Sequence, residues 1–244
     1  MNMPSAPRDI QCLGLVGLGL IGSSIAHSAI ANQLAEKVVG YDSDEPTCRR
    51  FEELGLASVC SAESPDILGE CDMVIIAVPI GAYGDVCRAI APFLKHSTVV
   101  SDAGSVKKGA IDYMQRELPG HVHLVPGHPI AGTECSGPDA GFAGLFDGRW
   151  CILTPQAGTD ETALTTCRSF WEGMGAKIQI MDAEHHDLVL GITSHLPHLI
   201  AYTIVGTADD LSEDLKSQVI EFSASGFRDF TRIASSEPTM WRDI

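Results

Sequence analysis

The feature that most constrains this chain is Gly17-Leu18-Gly19-Leu20-Ile21-Gly22. It follows a short apolar run, Ile10 to Val16, and opens a stretch, Ile21 to Ala35, with small and apolar residues at helical spacing. A G-x-G-x-x-G pattern alone is a weak signal, but between a strand and a helix it has a mechanical reading. Gly17 makes the tight turn, Gly19 lets backbone approach a pyrophosphate, and Gly22 lets the helix pack on the strand. The helix N-terminus, with Leu20 and Ile21 in its first turn, offers N–H donors and a partial positive charge to phosphate oxygens. A second apolar run, Val38 to Tyr41, ends in Asp42, which follows Gly17 by 25 positions, near the ~20 expected. A carboxylate there accepts hydrogen bonds from ribose hydroxyls and repels a 2′-phosphate. NAD is therefore favoured over NADP, with Arg49 and Arg50 keeping NADP as the lesser alternative.

Downstream, the pattern repeats: helix near Glu45–Leu54, strand at Met73–Val78, helix near Tyr83–Leu94, strand at Thr98–Ser101, helix at Val106–Leu118, strand at His121–Val125. Short apolar strands alternating with amphipathic helices predict a parallel sheet covered on both faces, an α/β fold of the Rossmann, doubly wound type. Ligands of such sheets bind beyond the carboxyl ends of the strands. Val78, Pro79 and Ser101 are expected there against the cofactor. Two more strands, Cys151–Pro155 and Lys177–Met181, flank a helix at Glu161–Met174. From Asp182 the strand signal stops. Ala183–Val205 and Leu211–Phe222 read as helices, and Asp229–Ser235 begins another. The expected division is 1–181 for the nucleotide-binding domain and 182–244 for a small all-α domain.

Composition narrows the partners. The formal charge is −16, from 32 acids against 16 bases, a surface that repels phosphate backbones and anionic lipids. Neither nucleic acid nor a membrane is expected as a partner. The eight cysteines are scattered without a C-x-x-C pair, which reads as reduced thiols in a cytoplasmic protein. Residues 1–9 carry no apolar core of a signal peptide, and no run of about 18 apolar residues lacks Gly or polar breaks, so no membrane span is expected.

The chemistry is expected in Gly127-His128-Pro129-Ile130-Ala131-Gly132-Thr133-Glu134, read as a Gly/Pro-punctuated loop. An imidazole titrating near neutrality can take a proton from a hydroxyl as hydride leaves the same carbon. Ser105, in Ser101-Asp102-Ala103-Gly104-Ser105, is placed to hydrogen-bond that hydroxyl and His128, or to cap the next helix. A second concentration, His185-His186-Asp187 and His195-Leu196-Pro197-His198, has three readings: substrate pocket, surface packing, or a metal site lacking obvious third and fourth ligands. Hydride transfer to NAD needs no metal, and none is expected. Arg228 and Arg232 stand out in a chain with few bases; a guanidinium grips a carboxylate bidentately.

Taken in order, GLGLIGSS, GYD at the second strand end, SDAGSVK at 101–107, GHPIAGTE at 127–134, SHLPH at 194–198 and FRDFTRIASSEPTMWRD at 227–243 resemble the prephenate/arogenate dehydrogenase family of tyrosine biosynthesis. The resemblance covers nearly the whole chain. It implies NAD-dependent oxidative decarboxylation of prephenate to 4-hydroxyphenylpyruvate, or of arogenate to tyrosine. It makes His128 the catalytic histidine and Ser105 its partner at the substrate hydroxyl. Arg232 matches the arginine for the ring carboxylate, Glu134, His186, His195 and His198 match pocket positions, and Trp241 matches a pocket-supporting tryptophan. It also implies a homodimer, sensitivity to tyrosine, and a helical domain extending further, so that 182–244 is expected to be incomplete. Neither a fused chorismate mutase nor an appended regulatory domain is expected. Two rivals are a 3-hydroxy-acid dehydrogenase of similar architecture, which would use a lysine near the nicotinamide, and a non-catalytic NAD-binding sensor.

Overall fold

The computed structural model describes residues 9–235 and Trp241. Its first sheet is built from β1 (Cys12–Val16), β2 (Lys37–Tyr41), β3 (Val59–Ser61), β4 (Met73–Ile76), β5 (Val99–Asp102) and β6 (His123–Leu124). All pairs are parallel and the order is β3-β2-β1-β4-β5-β6. The order reverses between β1 and β4, so the crevice at that point is where a dinucleotide is bound in sheets of this winding. Successive side chains of β1 leave on opposite faces: Leu13 and Leu15 enter one core, Cys12 and Val16 the other. This is why the strand is apolar throughout instead of alternating.

The helices α1 (Leu20–Ala31) and α2 (Glu45–Glu53) follow β1 and β2. α3 (Tyr83–Ile90) and α4 (Lys108–Glu117) cover the opposite face. The sheet is parallel and doubly wound, as expected. The strand β3 and the 3-10 turn Pro65–Glu70, absent from the sequence reading, are short elements without periodicity long enough to register.

The expected His128 loop is a correction. Gly127–Pro129 forms a buried strand, β7. It pairs antiparallel with β8 (Trp150–Leu153), which pairs parallel with β9 (Lys177–Ile180) across α5 (Glu161–Gly173). Proline is tolerated because β7 is the edge strand of this second, three-stranded sheet. The two late strands expected from sequence therefore belong to a separate mixed sheet. It shares the α1 core, where Trp171 of α5 meets Phe146 edge-to-face at 5.3 Å.

After β9 the described chain is helical. α6 (Ala183–Leu190), capped by the Asp182 carboxylate on the His185 N–H at 2.8 Å, continues through a π turn (Gly191–His195) into α7 (Leu196–Asp209). Pro197 lacks the N–H that an α-helix would aim at the Thr193 carbonyl, and a widened turn accommodates that loss. α8 (Glu213–Glu221) and α9 (Ser225–Thr231) follow, α9 starting before the expected Asp229.

Helix 183–209 spans 27 residues, with a mean hydropathy of 1.5 in its most apolar stretch and 11% of that stretch buried. By length and composition it could cross a membrane. The sequence expectation of no such segment is corrected to that extent: the glycine and polar breaks, Gly191 and His195 among them, do not lower the average enough. Leu188, Ile192, Leu196 and Leu199 are all exposed on it.

Candidate active site

The glycine loop behaves as the motif demands. Gly17 has φ +89°, and a Cβ there would sit 2.6 Å from the Ala77 carbonyl oxygen. A Cβ on Gly22 would lie 2.0 Å from the Gly17 oxygen. A Cβ on Gly19 would meet nothing within 4 Å, so the backbone there faces open space at the start of α1. That openness, at a helix N-terminus with no side-chain cap, fits a pyrophosphate. Leu20 and Ile21 form the first turn of α1. Val78 and Pro79 follow β4 beside Gly17, and the Val78 Cγ1 would be 2.7 Å from a Cβ on Gly17. Asp42, just past β2, accepts the Leu18 N–H on Oδ2 at 2.8 Å and the Asp44 N–H on Oδ1 at 3.0 Å. The carboxylate is thereby braced at the loop with lone pairs to spare. Ser101 departs from its expected place: it lies inside β5, fully buried, with its hydroxyl 3.5 Å from the Cys167 thiol.

The arginines that kept NADP open are engaged elsewhere. Arg50 holds Asp139 in a bidentate pair, with contacts of 2.9 and 2.6 Å to Oδ1, and also pairs with Glu53. Arg49 pairs with Glu45. Neither is left over for a 2′-phosphate.

The second half of the site is a hydrogen-bonded row. His128 Nδ1 lies 2.9 Å from His186 Nε2, and His186 Nδ1 lies 2.8 Å from Asp187 Oδ1. A carboxylate can only accept, so His186 Nδ1 carries a proton and its Nε2, in the neutral ring, accepts from His128 Nδ1–H. This leaves the His128 Nε2 lone pair unused. Burial, first, and then the Lys107 ammonium push His128 well below the ordinary histidine range, with His186 and His195 lowering it further. Burial raises Asp187, but hydrogen bonds from His186 and from the Lys107 and Lys108 amides outweigh it and hold the carboxyl below its usual value. Those amides, 2.7 and 3.0 Å from the two Asp187 oxygens, are the first N–H groups of α4. The Ser105 cap is thus not used: α4 has no cap of its own, and α6 supplies one.

His195, on the π turn, is half-buried, and its Nε2 has no partner among the described residues. Burial lowers its pKa first, with His186 and His198 adding to the effect against Asp187. Trp241 stacks on His198 at 3.7 Å and meets His195 edge-on at 6.0 Å. His186, His195, His198 and Trp241 therefore gather by His128. Ser105 makes no hydroxyl hydrogen bond among the described residues and does not pair with His128. Glu134 is exposed beyond β7, and Arg232 is exposed after α9 without a carboxylate partner among the described residues. His185 points away, exposed. No metal-binding cluster occurs among the described residues.

Sequence reasoning missed the residues beneath His128. Asp102, Lys107 and Tyr83 are each 0% exposed. Lys107 Nζ donates to Asp102 Oδ2 at 2.5 Å and to the Gly127 carbonyl at 2.6 Å. Asp102 Oδ1 accepts the Gly127 N–H at 3.0 Å, while Oδ2 also accepts from Tyr83 Oη at 2.7 Å and Gly104 N–H at 2.9 Å. Two opposite charges inside the strand-loop run 101–107 were the available signal. A groove of about 1070 Å³ opens at the amino ends of β1–β3 instead, lined by Gln33, Lys37, Ser58 and Phe170; it is remote from these groups and holds no such pairing.

Comparison with known proteins decides the family. Residues 25–180 match the model "Prephenate dehydrogenase, nucleotide-binding domain", and residues 182–244 match "Prephenate dehydrogenase, dimerization domain". The chain belongs to the prephenate dehydrogenase family. It is 44% identical over 232 residues to a cyclohexadienyl dehydrogenase of Zymomonas mobilis, covering 95% of this chain and 79% of that protein. Among solved structures, it superposes on a prephenate dehydrogenase from A. aeolicus in complex with hydroxyphenyl propionate and NAD+ with a TM-score of 0.87, at 33% identity, covering 96% of this chain and 81% of that one. A Synechocystis arogenate dehydrogenase matches with a TM-score of 0.77 at 27% identity, covering 95% and 81%. The chain is accordingly an NAD-dependent oxidoreductase of tyrosine biosynthesis that acts by oxidative decarboxylation.

Proposed function

We propose that the substrate is prephenate, arogenate or both, and that His128 Nε2 takes the proton from the ring hydroxyl. The observation that carries this reading is the row His128–His186–Asp187, which presents an unprotonated, buried nitrogen. NAD, when bound, supplies the hydride acceptor. The backbone at Gly17–Gly22 and the carboxylate of Asp42, with Val78 and Pro79 beside them, would hold it. As the proton moves to Nε2, His128 becomes cationic, and His186 and Asp187 spread and stabilise that charge. Hydride leaves the carbon bearing the hydroxyl, the ring carboxylate leaves as CO₂, and aromatisation supplies the driving force. Alignment and proton transfer are then the main tasks left to the protein.

The Ser105 hydroxyl is free to meet the same substrate oxygen. Arg232, without a carboxylate partner among the described residues, is assigned to the ring carboxylate. His195, His198 and Trp241 wall the pocket, and Glu134 would have to reach it from its exposed position. The working division falls between residues 181 and 182. The exposed apolar residues of 183–230 pair two copies in a homodimer, which we favour over membrane insertion because helix 183–209 carries His186, Asp187 and His195. Tyrosine, which shares the arogenate side chain, inhibits by occupying the same pocket. Eight free thiols and the use of NAD support a cytoplasmic enzyme.

The test follows the absorbance of reduced cofactor with prephenate and arogenate in separate cuvettes. Turnover with either supports the reading and ranks the substrates. Bound NAD with no turnover on either overturns it. Arg232→Ala is expected to raise KM for the turned-over substrate by roughly 30- to 100-fold, the scale of a lost charge-assisted bond, whereas an unchanged KM moves the carboxylate site elsewhere.

A further inference from the structure

The Tyr83–Asp102–Lys107 cluster is fully buried, yet it contains a full ion pair on neither the cofactor loop nor the histidine row. A buried pair is a poor source of stability, since desolvating two charges costs about as much as their attraction returns. Its placement explains it better. Lys107 Nζ binds the carbonyl of Gly127 and Asp102 binds the N–H of the same residue. Both backbone polar groups of Gly127, the residue preceding His128, are therefore held by one ion pair. Tyr83 and the Gly104 N–H fix the carboxylate in turn. Lys107 also acts at the far end of the row, where its own amide and that of Lys108 anchor the Asp187 carboxylate. One residue thus sets the height of the base by its side chain and the orienting carboxylate by its backbone. The spacing matters because the row has three members in series, and misplacement by about 1 Å at a reacting group costs on the order of 100-fold in rate.

We propose that Lys107, with Asp102 and Tyr83, is a positioning cluster for this dehydrogenation, clamping Gly127 so that the His128 imidazole meets both His186 and the substrate. The proposal rests on the reading of His128 as base. The groups facing His128 are Lys107 from the β5–α4 connection, Cys151 of β8, His186 and Asp187 of α6, and His195 of the π turn, with Asp102 at the end of β5 bound to the adjoining Gly127 N–H. Lys107 is the only fixed cation in that set. Burial lowers its pKa while Asp102 works to keep it charged.

The test is kinetic, on the full chain with NAD and whichever substrate it turns over. In Lys107→Met the expected result is a kcat reduced about 10- to 100-fold, a KM for NAD within about twofold of the parent, and an acid limb of kcat moved up by about one pH unit as a cation is removed from beside the imidazole. A merely structural cluster would not move the acid limb. An unchanged kcat, or a reduced kcat with the acid limb in place, overturns the proposal. If Lys107→Met does not fold, Tyr83→Phe leaves the ion pair and deletes one bond to Asp102; it is expected to lower kcat several-fold at constant KM for NAD, and a parental kcat there is equally fatal. His128→Asn, run alongside, separates the two failures. If it turns over normally the base assignment itself fails, whereas an inactive His128→Asn beside a normal Lys107→Met removes only the positioning role.

Discussion

The cofactor half and the histidine half of this site are built by opposite means. At Gly17–Gly22 the chemistry resides in backbone: three glycines, one helix N-terminus and one braced carboxylate, with Gly22 and Asp42 tied to the loop itself and Gly17 pressed against the end of the neighbouring β4. At His128 the chemistry resides in side chains brought from separate elements, β7, α6 and the π turn, with 58 positions between the two bonded histidines. The first half needs space, so its requirement is the absence of Cβ atoms. The second needs a fixed proton inventory, so its requirement is a row of donors and acceptors with one nitrogen left over. Local backbone geometry can be specified by a short motif. A proton row between distant segments can be specified only by the packing that joins them, here the Asp187 cap on α4.

If the halves are independent in this way, damage to one should leave the other working. The largest effect is expected from His128→Asn: kcat should fall by about 10²-fold or more while the Kd for NAD, measured by titration, stays within about twofold. A parallel loss of NAD affinity would show the halves to be coupled. Asp187→Ala comes next. It removes the acceptor that fixes the His186 tautomer, so kcat should drop by about tenfold or more, following the logic by which an orienting carboxylate sets a catalytic tautomer. It also uncaps α4, and thermal unfolding should register a loss of about 1 kcal/mol. Retained kcat with lowered stability would reduce Asp187 to a cap. The smallest effect is expected from Asp42→Ala, a several-fold loss in discrimination of NAD against NADP with the pH profile of kcat unmoved. Unaltered discrimination would mean that the ribose is read elsewhere.

The same comparison explains what could be read from the chain alone. The longer strands and helices through residue 118 were legible in order, because apolar runs and helical periodicity are local, whereas the three-residue β3 and the 3-10 turn Pro65–Glu70 are too short to register. The glycine loop with Asp42 was legible as well. His186, His195, His198 and Trp241 were legible as members of one site, though not as a row: nothing in sequence spacing says that His186 bonds His128 while His185, its neighbour, faces solvent. The strand character of Gly127–Pro129 was hidden by glycine and proline, which punctuate loops and edge strands alike. Ser101 was assigned to the cofactor because it ends an apolar run, yet β5 continues to Asp102 and turns that hydroxyl into the core. Asp102 and Lys107 passed unremarked inside a motif, since charged residues in a turn are ordinarily solvated. Only the fold shows that both are fully buried.

The acid–base consequences follow from the same burial. Because the fold holds His128 neutral, the unfolded chain takes up a proton near pH 6.5 before the folded one does. Stability present above that pH is therefore lost as pH falls below it. Asp187, depressed below 3.8, contributes stability above that value, lost only as pH falls through the lower folded pKa.

The most direct test of the account is the state of the His128 ring itself, read by ¹⁵N chemical shifts of the imidazole as pH is lowered with histidine-labelled protein. The account predicts a neutral ring with the proton on Nδ1 and a bare Nε2, persisting well below pH 6.5. A proton on Nε2 in the neutral ring, or titration at or above the ordinary histidine value, would contradict it.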